Sequence, residues 1–246
     1  MLCLMPTSLK SLSGPMAALT ERHGPIHLPP PPHANLQSVY DDEARYIRLM
    51  RGRRAAPIWY GWCPAQSLSV STREASRLGD ISGFTAEPVA IRQTGGTVVP
   101  QGPGTLNISV ISRHETHPGI RETYAAVCQA LAEGFAAMGI DTEVGARLGS
   151  FCDGDFNLLH RGQKLVGTAQ RWAMGADGSA ICLHHCVILT GGEQDTLCHR
   201  AEALYNHAGQ PTHYIREAHS TRMINHGDLL AAMDKPLTGF IQGGRD

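Results

Sequence analysis

The sequence predicts an α+β fold in which helices pack on a mixed sheet. Apolar residues recur at steps of three and four between residues 118 and 139, the pattern of an amphipathic helix. Apolar and polar residues alternate over 107–112, as in a half-buried strand, and residues 180–190 form a nearly continuous apolar run typical of a buried strand. Strands mixed with long helices favour this architecture.

The remaining elements follow from local patterns. Residues 41–50 begin with acids and end with bases, which suits a helix dipole. Residues 57–62 predict a strand, and Arg161-Gly162 predicts a hairpin turn between two short strands. Apolar residues at 197, 201, 204 and 208 predict a second amphipathic helix.

A proline-rich segment near the N-terminus predicts the domain organisation. Residues 29–32 are four consecutive prolines, which cannot join a helix or a central strand. We therefore expect residues 1–34 to be a flexible tail. Residues 35–246 are then expected to form one domain, without a C-terminal accessory domain, which would need roughly another hundred residues.

Composition excludes several functional classes. The 246 residues carry 21 positive and 22 negative side chains, so the broad positive charge typical of a nucleic-acid-binding protein is absent. No apolar run approaches the ~18–20 residues that span a bilayer. Seven cysteines without a disulfide-like framework, and no convincing signal peptide, predict a reducing, cytoplasmic location.

A glycine-rich segment, residues 92–109, is the first candidate for chemistry. Four glycines within ten positions, 95 to 104, let the backbone turn tightly and approach a ligand. Exposed N–H groups there can bind anionic oxygens, and Arg92 can add a bidentate contact to phosphate or carboxylate. A pair of tight turns between strands is the alternative interpretation.

The second candidate is the segment 162–171, which contains Lys164. A lysine at this place can set a positive charge against a carboxylate, and backbone N–H groups near Thr168 and Ala169 can bind a carbonyl oxygen as charge develops on it. The alternative is a surface lysine on a hairpin, since lysine is rarely buried.

Together the two segments resemble a known family. Arg-x-Thr-Gly-Gly with Gly-Pro-Gly-x-Leu-Asn-x-Ser, and later Lys-Leu-Val-Gly-Thr-Ala-Gln, is similar to lipoate–protein ligase A and to the related octanoyltransferases and biotin–protein ligases. Trp62-x-Pro64 with Ser67-Leu-Ser, and residues 183–189, are similar to flanking strands of that family. The resemblance covers roughly residues 40–220 and implies the biotin/lipoate protein ligase catalytic-domain fold.

The resemblance implies an acyl-adenylate-forming ligase. Such an enzyme activates lipoate or octanoate with ATP and Mg²⁺, then transfers the acyl group to a lysine of a lipoyl carrier domain. The expected carriers are the glycine-cleavage H protein and the lipoyl domains of 2-oxoacid dehydrogenases. Carried over, Lys164 contacts the acyl carboxylate and the adenylate phosphate, Arg92 steers phosphate, and Asn107 braces the loop or binds the ligand.

The other expected substrate or adenylate contacts are Thr94, Gly95, Gly96, Thr97, Gln101, Gly102, Gly104, Asn157, Gly167, Thr168 and Ala169. Three positions depart from the family pattern, which often has histidine at Gln101, a third glycine at Thr97 and an acid near Asn157. Asp153 or Asp155 would then be the candidate magnesium ligand. If no accessory domain is present, as we expect, adenylation would need a separate partner chain, or the protein is a transferase.

Cys152 supports the transferase alternative. It lies twelve residues before Lys164, and a thiolate near a lysine can form an acyl thioester without ATP. The competing interpretation is a buried structural cysteine. A non-catalytic protein that binds an acyl group or a carrier is the third functional hypothesis.

A zinc site is not expected. Cys182, His184, His185 and Cys186 stand on a predicted strand, where successive side chains face opposite ways, and paired C-x-x-C motifs are absent, so Cys198 and His199 complete no recognised ligand set.

Overall fold

The computed structural model describes residues 35–243. The predicted tail, residues 1–34, lies outside the described residues. The strands are β1 Ile58–Trp62, β2 Ser67–Ser71, β3 Val89–Arg92, β4 Val99–Gln101, β5 Thr105–His114, β6 Glu143–Gly145, β7 Asn157–His160, β8 Gln163–Met174 and β9 Ala180–Leu189. The helices are α1 Leu36–Arg51, α2 Thr72–Leu78, α3 Ile120–Ala137, α4 Gln194–His207 and α5 His226–Gly243, and a 3₁₀ turn covers Arg216–Ala218.

Two sheets organise these elements. The larger is antiparallel with the strand order β1-β5-β9-β8-β7-β6. The smaller has the order β3-β2-β4, with β2 parallel to β3 and antiparallel to β4. The predicted α+β class, with helices packed on a sheet, is confirmed.

The two faces of the larger sheet bury different partners. Side chains alternate along a strand, so β5 sends Leu106, Ile108 and Val110 to a core that it shares with α3 and α5. The opposite face of β1, β5 and β9 packs against α1. A third core joins β2, β4 and α4 with the segment around Phe151. The space left between the two sheets becomes the pocket described below.

Local signals explain where the predicted elements begin and turn. Helix α1 starts before the acidic residues that predicted it, because the Asn35 side chain accepts a hydrogen bond from Ser38 N–H and caps the helix at Leu36. The predicted hairpin is present, since Arg161 and Gly162 have φ values of 51° and 71°, which a two-residue turn of this kind requires.

Some elements were not predicted from local patterns. The short strands β3 and β4 and helix α2 have only three to seven residues each, too few to show a period. Helix α5 has apolar residues at helical spacing, but Pro236 lies inside it and removes one backbone donor. Among residues 35–243, the helices are all too short or too polar to cross a bilayer.

Truncating the core between the larger sheet and its helices tests this architecture. Phe135 is fully buried on α3, so Phe135→Ala should lower the free energy of unfolding by about 3–5 kcal/mol in urea titration. Glu133 is exposed on the same helix, and Glu133→Ala should change it by less than about 0.5 kcal/mol. Equal effects from the two variants would contradict the described core.

Candidate active site

A pocket lies between the two sheets, and eight of the seventeen predicted site residues line it. Its floor is the larger sheet, where alternate residues of β9 (His185, Val187 and Leu189) face the cavity. The smaller sheet supplies the opposite wall. The lining residues are Tyr40, Trp62, Ser69, Arg92, Val99, Gln101, Asn107, Phe151, Cys152, Lys164, Gly167, Thr168, Ala169, His185, Val187 and Leu189.

Lys164 is buried at one end of this pocket. Its side chain is 2% exposed, so the alternative of a surface hairpin lysine is wrong. The Nζ atom donates hydrogen bonds of 2.6 Å to the carbonyl oxygens of Phe151 and Cys152. These bonds use two of its three N–H groups. Burial lowers the pKa of Lys164 to about 8, against the opposing effect of Cys152 and Asp153.

Gly167 makes room for that lysine. A Cβ atom at position 167 would lie 3.0 Å from Lys164 Cε and 3.2 Å from Nζ, closer than side chains normally pack. The lysine therefore runs along its own strand, over a residue that has no side chain. Packing therefore favours glycine at position 167, and its predicted contact with the substrate stays a prediction.

Cys152 stands beside the lysine in a left-handed backbone conformation, with φ 55°. This region is uncommon for residues other than glycine. Its Sγ atom faces Gly96, where any Cβ would collide with the sulfur and would also lie 2.9 Å from the Arg92 Nη2 atom. The thiol lines the pocket and is only partly buried, so the competing interpretation of a fully buried structural cysteine does not hold.

Arg92 has a different task from the one predicted. Its Nη1 atom donates to the carbonyl and hydroxyl oxygens of Ser69, at 2.7 and 3.1 Å. Its Nε and Nη2 atoms donate to the carbonyls of Gly95 and Thr97 at 2.7–3.1 Å. A guanidinium has five N–H groups, and these contacts occupy them all. Arg92 thus holds the glycine-rich loop in place and has no free donor for a phosphate in this conformation.

Other residues of the loop also serve its own structure. The Asn107 side chain donates to Gln101 Oε1 at 3.0 Å, so the two predicted contacts form one amide pair in the pocket wall. A Cβ at Gly104 would collide with the carbonyl of Gly191, and one at Gly102 would lie 3.0 Å from the Gln66 backbone. Both glycines have positive φ, and glycine is required at each because another backbone segment comes close to it. Neither glycine lines the pocket.

Thr94 contacts a buried polar group that the sequence analysis did not assign to the site. Its hydroxyl lies 2.9 Å from His185 Nδ1, and His185 Nε2 lies 2.7 Å from a carboxylate oxygen of Glu43. Tyr40 stacks on the same imidazole, at 5.2 Å between ring centroids. Glu43 and His185 are both buried, and an acid inside an apolar helix face was the signal available for Glu43.

Near Lys164, three further predicted contacts are buried or half-buried. Asn157 donates to the Gly154 carbonyl at 2.7 Å, and Thr168 donates its hydroxyl proton to the Phe156 carbonyl. Ala169 lines the cavity on β8. Asn157 therefore fixes the loop that carries the two aspartates.

The predicted magnesium ligands lie outside the pocket. Asp153 and Asp155 are exposed, and Asp155 is 3.8 Å from the guanidinium of Arg121. Within residues 35–243, no group of three or more His, Cys, Asp or Glu side chains could hold a metal ion. Asp153 is close enough to Lys164 to act on its pKa, and magnesium binding by either aspartate stays a prediction. For zinc, Cys198 is buried and the neighbouring His199 is exposed, so the two face different ways on α4.

Residues 86–229 match the family model of the lipoyl protein ligase A/B catalytic domain. The chain belongs to this family. An uncharacterized Cupriavidus necator protein, H16_B0148, is 32% identical over 196 residues, which are 74% of this chain and 78% of the relative. The resemblance found in the sequence is confirmed.

Other family members are named for a transfer reaction. An octanoyl-[GcvH]:protein N-octanoyltransferase from Kyrpidia tusciae is 35% identical over 136 residues, which are 50% of this chain and 46% of the transferase. The match thus spans less than half the length of that relative.

Solved structures of the family share the fold. A lipoate-protein ligase A bound with ATP has a TM-score of 0.65 at 18% identity, and the match covers 90% of this chain and 86% of the ligase. The Thermoplasma acidophilum protein Ta0514 with bound lipoic acid has a TM-score of 0.65 at 19% identity, with the same coverages.

Exchanging Arg92 for lysine separates its two interpretations. Arg92→Lys keeps the positive charge that a phosphate contact needs but cannot make five hydrogen bonds. We expect the free energy of unfolding to fall by about 2–3 kcal/mol because buried carbonyls lose donors. Urea titration measures this change, with the exposed Arg73→Lys as the control. An unchanged stability would show that Arg92 does not brace the loop.

Proposed function

We propose that this protein is an acyltransferase, which moves an octanoyl-type group between lipoyl carrier domains through a thioester on Cys152. The observation that carries the proposal is that the Cys152 thiol and the buried Lys164 ammonium line one pocket. A thiol and an amine in one pocket supply a nucleophile for the acyl group and a carrier for the proton. The mostly apolar remainder of the pocket suits a medium-length acyl chain.

The chemistry has two balanced steps. In the first, the Cys152 thiolate attacks the acyl carbonyl on the donor carrier, and the bond from the carbonyl to the donor lysine nitrogen breaks. Lys164 gives its proton to the departing amine. In the second, the amine of the acceptor lysine attacks the thioester, the Cys152 thiolate leaves, and Lys164 takes up the proton that the new amide releases. The third N–H of Lys164 is available to hold the carbonyl oxygen as charge develops on it.

The polar groups of the pocket favour transfer over adenylation. The charged residues in its lining are Arg92 and Lys164, and the Arg92 donors are already occupied by carbonyls and Ser69. A ligase must also bind a triphosphate and Mg²⁺, whereas Asp153 and Asp155 are exposed outside the pocket. The relatives named octanoyl-[GcvH]:protein N-octanoyltransferase support the same choice.

The expected partners are the carriers that those names imply. The donor is an octanoyl-lysine on a glycine-cleavage H protein, and the acceptor is a lipoyl domain of a 2-oxoacid dehydrogenase. The apolar side chains of the pocket lining suit either a lipoyl or an octanoyl group. The ligase hypothesis, with free lipoate, ATP and a separate accessory chain, is the competing outcome of the experiment below.

Intact-mass spectrometry tests the proposal. The protein is incubated with octanoyl-H protein and an apo lipoyl domain, without ATP. We expect the acceptor to gain one octanoyl group, and the enzyme alone with the donor to gain one octanoyl group at Cys152 that hydroxylamine removes. Cys152→Ala should lower the transfer rate by at least about a thousandfold because it removes the nucleophile.

Cys63→Ser is the matched control, since Cys63 is also a partly buried thiol but contacts His226 outside the pocket. It should transfer at the wild-type rate. Acylation that needs free acid and ATP would establish the ligase instead. Binding of the carrier without acylation in either mixture would establish a non-catalytic protein.

The pH dependence of acyl-enzyme formation tests the role of Lys164. Burial lowers the pKa of Lys164 to about 8, so the ammonium form prevails below this pH and disappears as the pH rises through it. Stopped-flow acylation should therefore slow above pH 8, approaching about tenfold per pH unit. Lys164→Met should be slow throughout and lack this descending limb. A wild-type rate that stays constant to pH 10 would show that the ammonium takes no part.

A further inference from the structure

A buried imidazole lies directly behind the Cys152 loop. His219 is fully buried, follows the 3₁₀ turn and does not line the pocket. Its ring stacks on that of Phe151, with centroids 4.2 Å apart and planes 22° from parallel. Phe151, the residue before Cys152, therefore packs directly against His219.

Hydrogen bonds define the state of the ring. The backbone N–H of Phe151 donates to His219 Nε2 at 3.1 Å, so Nε2 carries no proton. The Nδ1 atom lies 3.4 Å from the Arg216 carbonyl oxygen, which places the proton on Nδ1. Burial, together with the charge of Lys164, lowers the pKa of His219 to about 4, so the ring stays neutral and Nε2 stays an acceptor at physiological pH.

His219 and Lys164 both hold Phe151, from opposite ends of that residue, and Lys164 holds Cys152 as well. The imidazole accepts the Phe151 N–H, while the ammonium binds the carbonyls of Phe151 and Cys152. The two holding residues are themselves paired, since position 219 forms a parallel β-bridge with Lys164 and Ser220 N–H donates to the Lys164 carbonyl at 2.9 Å. Hydrogen bonds from Lys164 to Cys152, and from Lys164 and His219 to Phe151, thus surround the strained backbone of Cys152.

We propose that His219 is a positioning residue, which sets the direction of the Cys152 thiol and of the carbonyls that hold Lys164 by accepting the Phe151 backbone N–H. It has no part in proton transfer, because both ring nitrogens are engaged and neither reaches the pocket. Its loss leaves a buried N–H without an acceptor and lets the loop leave the left-handed turn. The inference rests on the proposed function only where turnover is the readout.

Two variants of similar length separate the hydrogen bond from packing. His219→Gln places an amide oxygen within reach of the Phe151 N–H, whereas His219→Met has no acceptor of comparable strength. Both lose the stacked ring equally. The first readout is the rate of Cys152 alkylation by iodoacetamide, followed by peptide mass spectrometry. The second is the kcat and KM of octanoyl transfer from octanoyl-H protein.

We expect His219→Met to slow Cys152 alkylation and to lower kcat by about tenfold each, with KM within about twofold of wild type. His219→Gln should recover most of both losses. Cys198→Ala is the control for core damage, since Cys198 is buried with its Sγ atom 3.7 Å from Nδ1 of the same ring. It should lower thermal stability while leaving the alkylation rate unchanged.

Equal loss in the Gln and Met variants, or an equal loss in Cys198→Ala, would overturn the inference and leave His219 a packing residue. The alkylation arm does not depend on transfer. A wild-type protein that forms no acyl-Cys152, but in which His219→Met still slows alkylation and His219→Gln restores it, would refute the proposed function and keep this inference.

Discussion

The buried ammonium of Lys164 is the constraint on which the site depends. A charge inside a protein must be matched by strong acceptors, because its desolvation costs several kcal/mol. Here the acceptors are two backbone carbonyls, each 2.6 Å away, and no carboxylate is bonded to it among the described residues. The fall of its pKa to about 8 corresponds to roughly 3 kcal/mol in favour of the neutral form. Burial therefore makes the protonated form of Lys164 less stable than that of a lysine in water.

The geometry around the lysine follows from that requirement. Carbonyls of consecutive residues can converge on one cation only if the chain turns sharply, and Cys152 adopts a left-handed conformation at this turn. The same turn brings the sulfur against Gly96, where no side chain could fit. Arg92 then holds the loop that contains Gly96. The strained backbone at Cys152, the buried ammonium of Lys164 and the glycine loop are thus parts of one arrangement. Each would cost free energy without the others.

The sequence predicted regular elements and motif positions well, because periodicity and turn chemistry are local properties. The helix over 118–139 appears as α3, and the apolar run over 180–190 appears as β9. It predicted the roles of single side chains less well. Arg92 could face a ligand or the carbonyls of its own loop. The outcome depends on Ser69 in β2 and on how the loop folds back over the guanidinium. His219 carries no local signal at all, since its importance comes from stacking on Phe151, 68 positions away along the chain.

The same fold can host either reaction of this family, and charge decides which one a given pocket favours. Adenylation brings a triphosphate with several negative charges into the site, and these need cations and a metal to balance them. Transfer from one carrier lysine to another exchanges one neutral amide for another, through a neutral thioester. One mobile proton and one thiol are then sufficient, provided that the developing oxyanion finds a donor. The proposed transfer therefore needs little from Arg92, whose donors are bonded to carbonyls and to Ser69, and relies on Lys164, whose pKa burial lowers to about 8.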